Sequence, residues 1–180
     1  MALGVLAPRG WNCFGLYGSN GSSLYVTPEP HDGSDLLKSG APGLSGAAIQ
    51  LSVSDGGTSG RFEVAAIAAR IFPTQATYVR QVIANQLDVD KTFDAAREFP
   101  KGPYPSDRMV RLRPLLVEFE TPARKDGLGT HSRLLKSGQP IVGFAKMEKD
   151  GDNSLTMLTM RLPPSLRDLA PTILKAAERQ

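Results

Sequence analysis

The chain has 180 residues, of which 41% are hydrophobic and 22% charged, and its net charge is +3. These proportions are typical of folded globular proteins and exclude disordered, collagen-like and coiled-coil classes. The length fits one domain spanning residues 1 to 180. One cysteine excludes an internal disulfide framework, and with only two histidines it argues against a zinc site. We therefore expect no metal and no other cofactor.

The N-terminal quarter alternates short apolar runs with turn-rich segments. Leu3 to Leu6 has the composition of a strand edge. Residues 11 to 22 interleave glycines with aromatic residues and are interpreted as a structured loop, whereas residues 23 to 27 have strand composition. The stretch from 28 to 46 is rich in Pro, Gly, Ser and Asp and has no periodic signal. Loops of this length are often functional, so we interpret it as a binding loop or lid.

The middle of the chain carries the clearest periodicities. Residues 47 to 53 alternate as a half-buried strand, with Ile49 and Leu51 on one face and Gln50 and Ser52 on the other. Residues 61 to 72 fit either a returning hairpin strand or a helix, and we favour the strand. An apolar stripe at helical spacing predicts a helix over about 75 to 87.

The C-terminal half predicts further strands and a final helix. After a loop-like crossing at 88 to 107, residues 115 to 120 alternate as a strand. Residues 141 to 147 and 155 to 162 predict a hairpin, because Asp150-Gly151 between apolar runs is a strong turn signal. A terminal helix should either begin near Leu169, with Pro171 in its first turn, or be kinked at Pro171. Together these elements predict an α+β fold: a mainly antiparallel sheet of five to seven strands, with two principal helices, one of them C-terminal, packed on the sheet.

The absence of specific catalytic motifs favours a non-catalytic binding or protein-interaction domain. Aromatic residues are enriched at binding hot spots, and several lie between residues 11 and 25, close to the loop at 28 to 46. We expect these two segments to contact a protein partner or a small ligand. The candidate binding residues are Trp11, Phe14, Tyr17, Tyr25 and His31.

The alternative from another class is a thiol-dependent hydrolase. Cys13 lies in a turn-rich segment, and His131 follows a glycine turn whose amides could stabilise an oxyanion. The mechanism needs the imidazole within hydrogen-bond reach of the thiol, and a third group such as Asp107 or Asn20 to orient it. We favour the interpretation of Cys13 as a small buried hydrophobic residue, and so do not expect an enzyme.

A weaker alternative is a nucleic-acid contact through Arg108, Arg111 and Arg113. Three arginines are a small basic footprint, so we do not expect a nucleic-acid partner. No run of 18 apolar residues predicts a membrane span. The abrupt apolar start and the Gly/Ser/Pro-rich composition favour an exported bacterial protein seen without its leader, with a cytoplasmic protein as the other possibility.

Overall fold

The computed structural model of the chain describes residues 3–38, 40–149 and 151–179. Seven strands form one antiparallel sheet in the order β1-β2-β3-β7-β6-β5-β4. The strands are β1 (Asn12–Gly18), β2 (Gly21–Thr27), β3 (Ala48–Ser54), β4 (Arg108–Arg113), β5 (Leu116–Thr121), β6 (Ile141–Glu148) and β7 (Ser154–Arg161). The predicted α+β fold with a mainly antiparallel sheet is confirmed.

Five α-helices accompany the sheet in the described part of the chain. They are α1 (Gly33–Leu37), α2 (Arg61–Ile71), α3 (Ala76–Val89), α4 (Ala95–Glu98) and α5 (Ala170–Glu178). The predicted helix near 75 to 87 is α3, and the predicted terminal helix is α5, with Pro171 in its first turn. Proline is tolerated there because the first amides of a helix have no intrahelical acceptor. No helix among these residues has the length and apolar character needed to cross a membrane.

The two faces of the sheet are covered differently. On the α5 face, α5 packs through Ile173 and Ala177 on a continuous apolar layer that includes Ile49, Phe144 and Leu158. On the α2 face, two separate apolar clusters cover the ends of the sheet. One joins α2 and α3 to strands β5, β6 and β7, and the other joins α1 to the loops around 44 and 134. Between these two clusters the α2 face carries polar side chains.

One row of side chains on the α2 face crosses all seven strands. From β1 to β4 it contains Phe14, Tyr25, Gln50, Thr159, Gly143, Phe119 and Met109. The polar members lie in the middle of the row, where the two apolar clusters separate. Thr159 is buried there, and its hydroxyl has no hydrogen-bond partner among the described residues.

The favoured strand at 61 to 72 is wrong, because these residues form α2. Val64, Ile67, Ala68 and Ile71, the positions that match helical spacing, are all buried against the sheet. A returning strand also had no free edge to pair with, because β3 already pairs with β2 on one side and β7 on the other. The alternation of Phe62, Val64 and Ala66 was therefore coincidental.

Sequence reasoning was also wrong at the two edges of the sheet. The predicted loop at 11 to 22 contains β1 and the start of β2, and β4 was missed entirely. Edge strands with largely exposed side chains lack the alternation that marks a half-buried strand. The predicted strand edge at Leu3 to Leu6 has no regular structure; Leu3 and Val5 instead pack against the α5-face layer.

The predicted hairpin of residues 141 to 162 is formed by β6 and β7. Gly151 adopts a φ of 80° in its turn, a conformation that glycine adopts without steric cost. Asp150, the other half of the turn signal, lies outside the described residues.

Candidate functional site

A polar cleft of about 600 Å³ opens on the α2 face between its two apolar clusters. Its walls are the β1–β2 hairpin, Leu37 at the end of α1, Glu63 in the first turn of α2, and residues 131 to 133. Its floor is made by side chains of β2 and β3. This volume lies within the range of about 300–1,000 Å³ that is typical of small-molecule sites.

The floor is unusual because polar side chains occupy buried positions of the sheet. Tyr25 is 3% exposed, Gln50 is 6% exposed and Ser54 is 5% exposed. The Gln50 side-chain oxygen accepts a hydrogen bond of 2.8 Å from the Arg133 amide, which fixes the side chain. Its amide nitrogen donates no hydrogen bond within the described residues, and Gln50 lines the cleft. A ligand acceptor can therefore bind this nitrogen.

Glu63 brings a carboxyl group to one wall. The Ser54 hydroxyl donates to it at 3.1 Å, so strand β3 and helix α2 are joined at this point. Glu63 is an exposed residue that lines the cleft, and the surrounding protein partly removes water from its carboxyl group. This loss of water raises the pKa of the Glu63 carboxyl, and the Ser54 hydrogen bond opposes the rise.

Another wall includes His131, the last residue of a short 3-10 turn, Leu128–His131, that Asp107 holds in place. One Asp107 oxygen accepts from the Leu128 amide at 2.7 Å, and the other accepts from the Thr121 hydroxyl at 2.7 Å. The Thr121 hydroxyl in turn accepts from the Gly129 amide at 2.9 Å. The Asp107 carboxylate thus accepts hydrogen bonds from the turn and from the strand beside it. These bonds fix the position of His131 at the end of the turn.

His131 belongs to a small cluster with Tyr104 and Arg70. The Tyr104 hydroxyl lies 2.5 Å from His131 Nε2, and the Arg70 guanidinium lies 3.9 Å from the Tyr104 ring centroid. Burial lowers the pKa of His131, the positive charge of Arg70 lowers it further, and Asp107 opposes the shift. Burial also raises the pKa of Tyr104. Near neutral pH, therefore, the Tyr104 hydroxyl keeps its proton and donates a hydrogen bond to Nε2 of a neutral imidazole.

This arrangement predicts the titration of His131. In a His31→Gln background, where His131 is the remaining histidine, proton NMR should give a pKa below the ordinary 6.5. Arg70→Met should raise that pKa because it removes a nearby positive charge, whereas Arg80→Met, outside the cluster, should leave it unchanged. Because folding lowers this pKa, the imidazole should cost stability as the pH falls below about 6.5. A pKa at or above 6.5 in the parent protein would contradict the assignment.

The structure brings several candidate binding residues to this cleft. Tyr25 lies in the floor, and Tyr17, 91% exposed, lies at the rim. Phe14 does not line the cleft but stacks on Tyr25, with ring centroids 5.2 Å apart. His31 is exposed beside Phe14, with 6.3 Å between the ring centroids.

Cys13 and Trp11 do not belong to this site. Cys13 is exposed on β1 opposite Val26, and the side chain of Val26 belongs to the α5 face. His131 lines the cleft on the α2 face, so the sheet separates the thiol from the imidazole and the pair that a thiol hydrolase needs is not formed. The expectation that Cys13 is buried is wrong, because it lies on an edge strand. Trp11 packs, half-buried, against the α5-face layer.

The arginine cluster lies on the edge strand β4, and two of its three charges are paired with carboxylates. Arg108 forms an ion pair with Glu120 at 3.2 Å, and Arg113 forms one with Glu178 at 3.1 Å. Arg111 donates to the backbone oxygens of Ile71 and Pro114.

Sequence reasoning missed four of the residues that shape the cleft. They are Gln50, Ser54, Glu63 and Arg133. Gln50 falls on the polar face of the strand predicted at 47 to 53, and a polar face predicts exposure to solvent, whereas Gln50 is buried. Glu63 lay in the segment whose secondary structure was assigned wrongly, and nothing local marked Arg133.

Comparison of the chain with protein-family models, curated proteins and solved structures found no match. Among the described residues, no group of three or more His, Cys, Asp or Glu side chains is placed to hold a metal ion. The cleft is lined by hydroxyl, amide, carboxyl, guanidinium and imidazole groups.

Proposed function

We propose that this protein is a non-catalytic binding domain and that its polar cleft takes a small, uncharged, hydroxyl-rich molecule of the size of a mono- or disaccharide. The main support for the proposal is that the floor of the cleft is polar although it is buried. Tyr25, Gln50 and Ser54 occupy buried positions of a sheet whose other buried positions are mostly apolar. Burying polar groups costs free energy unless they find partners, and a ligand with matching groups supplies such partners.

The charge balance of the cleft favours a neutral ligand. Glu63 and Arg133 are the acidic and basic side chains that line it, and their formal charges cancel. His131 is held in its neutral form near neutral pH because its pKa is lowered. An anion or a cation would therefore gain attraction from one wall and repulsion from the other.

The remaining lining groups match hydroxyls. Six serines line the cleft, and each serine hydroxyl both donates and accepts hydrogen bonds, as a sugar hydroxyl does. Tyr17 at the rim offers an exposed aromatic ring that can cover the apolar face of a sugar ring. The serines in the lining are Ser19, Ser22, Ser23, Ser52, Ser54 and Ser132.

The test is saturation-transfer NMR with a set of neutral mono- and disaccharides, followed by calorimetry on any sugar that binds. Gln50→Leu should weaken binding roughly tenfold, because it removes a hydrogen bond from the cleft floor and leaves a ligand group unpaired. Gln81→Leu makes the same chemical change on the exposed surface of α3 and should leave binding unchanged.

A second variant separates binding from folding. Tyr17→Ala should weaken sugar binding while shifting the melting temperature little, because Tyr17 is almost fully exposed. Sugar that is recovered unchanged from the incubation supports a binding protein, whereas conversion of the sugar would contradict the non-catalytic assignment. The proposal is wrong if no sugar binds with a Kd below about 10 mM.

A further inference from the structure

A second concavity lies on the other side of α2, between α2, α3 and the loop at 101 to 103. Its volume is about 520 Å³, and it shares no lining residue with the polar cleft. Phe72 and Val79 form part of its wall and are buried, while Ile83 is half-buried. The lining is mainly hydrocarbon, which suits an apolar chain rather than a sugar.

Four basic side chains surround this apolar groove, and no acidic side chain lines it. They are Arg70, Arg80, Lys101 and Arg111. None of the four forms an ion pair with a carboxylate within the described residues. This is a marked local excess of positive charge in a chain whose net charge is only +3.

Two of these cations are held in place by the fold. Arg111 donates to the Ile71 backbone oxygen at 2.6 Å and to the Pro114 backbone oxygen at 3.1 Å. Arg70 donates to the Gly102 backbone oxygen at 3.3 Å. Carbonyl partners fix each guanidinium without neutralising it, so its charge stays available to an anion and little side-chain freedom is lost on binding.

We propose that this groove is a second binding site, and that its occupant is a single-chain anionic amphiphile of the fatty-acid class. The acyl chain lies along the apolar wall formed by α2 and α3. The carboxylate lies among the four basic side chains at the rim. The site is distinct in position and chemistry from the polar cleft, and it does not depend on the function proposed for that cleft.

Calorimetry with sodium dodecanoate, kept below its critical micelle concentration in low-salt buffer, tests the proposal. We expect a Kd below about 100 µM, and weaker binding as salt is added. Dodecyltrimethylammonium has the same chain with the opposite charge and should bind at least tenfold more weakly. Acetate lacks the chain and should show no measurable binding.

Two variants locate the site. Ala76 is an exposed residue at the start of α3 that lines the groove, so Ala76→Trp should fill the groove and abolish dodecanoate binding. The double variant Arg80→Glu, Lys101→Glu should weaken binding at least tenfold. Arg9→Glu, Lys125→Glu makes the same change in net charge at exposed positions outside the groove and should bind as the parent does.

Several outcomes would overturn the proposal. Equal affinity for dodecanoate and dodecyltrimethylammonium would show that the basic rim does not distinguish an anionic head group from a cationic one. Unchanged binding in a folded Ala76→Trp variant would place the amphiphile elsewhere. Binding only to vesicles that contain anionic lipid, with no binding of monomeric dodecanoate, would replace the fatty-acid site with a membrane-surface contact.

Discussion

Arg161→Met should lower the free energy of unfolding by about 3 kcal/mol or more. Arg161 is 2% exposed, and its guanidinium donates to the backbone oxygens of Gly46, Leu44 and Leu135. Hydrogen bonds to a charged group contribute about 1.5–3 kcal/mol each. The desolvation cost of the buried charge, which also lowers the pKa of Arg161, offsets part of that gain.

The loss should be concentrated where two loops meet. Leu44 and Leu134 form an isolated parallel bridge, and Arg161 joins the loops on either side of it. In Arg161→Met, the Gly46 and Leu135 backbone oxygens lose this donor. Arg161→Lys should not restore stability, because one ammonium nitrogen cannot reach the three oxygens that the guanidinium contacts. Urea unfolding measures the effect, and amide hydrogen exchange near residue 44 should increase.

Arg167→Met provides a matched control for this prediction. Arg167 is exposed, so the same chemical change there should alter stability by less than about 0.5 kcal/mol. A loss below about 1 kcal/mol in Arg161→Met would mean that its three hydrogen bonds contribute little beyond the cost of burying the charge.

Gly143→Ala should destabilise the protein by about 3 kcal/mol or more, a large effect for one methyl group. Gly143 lies on β6, an interior strand of the sheet between β7 and β5. A Cβ there would overlap the backbone oxygen of Leu158 and lie 2.8 Å from Phe119 Cζ. The backbone of β7 cannot move away without breaking its pairing with β3 and β6.

The control is Gly138→Ala, because a Cβ at that position has no neighbour within 4 Å. That variant should unfold within about 0.5 kcal/mol of the parent in the same denaturant titration. Adding Phe119→Leu to Gly143→Ala should recover only part of the loss, since it removes the ring but not the Leu158 oxygen. Full recovery would show that the ring alone excludes a side chain at position 143.

Local sequence was sufficient for elements whose burial pattern follows from a simple period. The alternation of residues 47 to 53, the hairpin signal near Gly151 and the apolar stripe of α3 correspond to real elements. The edges of the sheet were missed for the converse reason. β1 and β4 have few buried side chains, so their sequences do not show the alternation of apolar and polar residues that predicts a strand.

The sequence by itself determined the α+β class, the central strands and the two principal helices. Only the tertiary structure decided the site. Gln50, Glu63 and Arg133 are far apart along the chain, and they meet because β3, α2 and the turn held by Asp107 converge on the gap between two apolar clusters. A polar residue on an alternating strand has the same local pattern whether it faces solvent or a cleft, and long-range packing alone distinguishes the two.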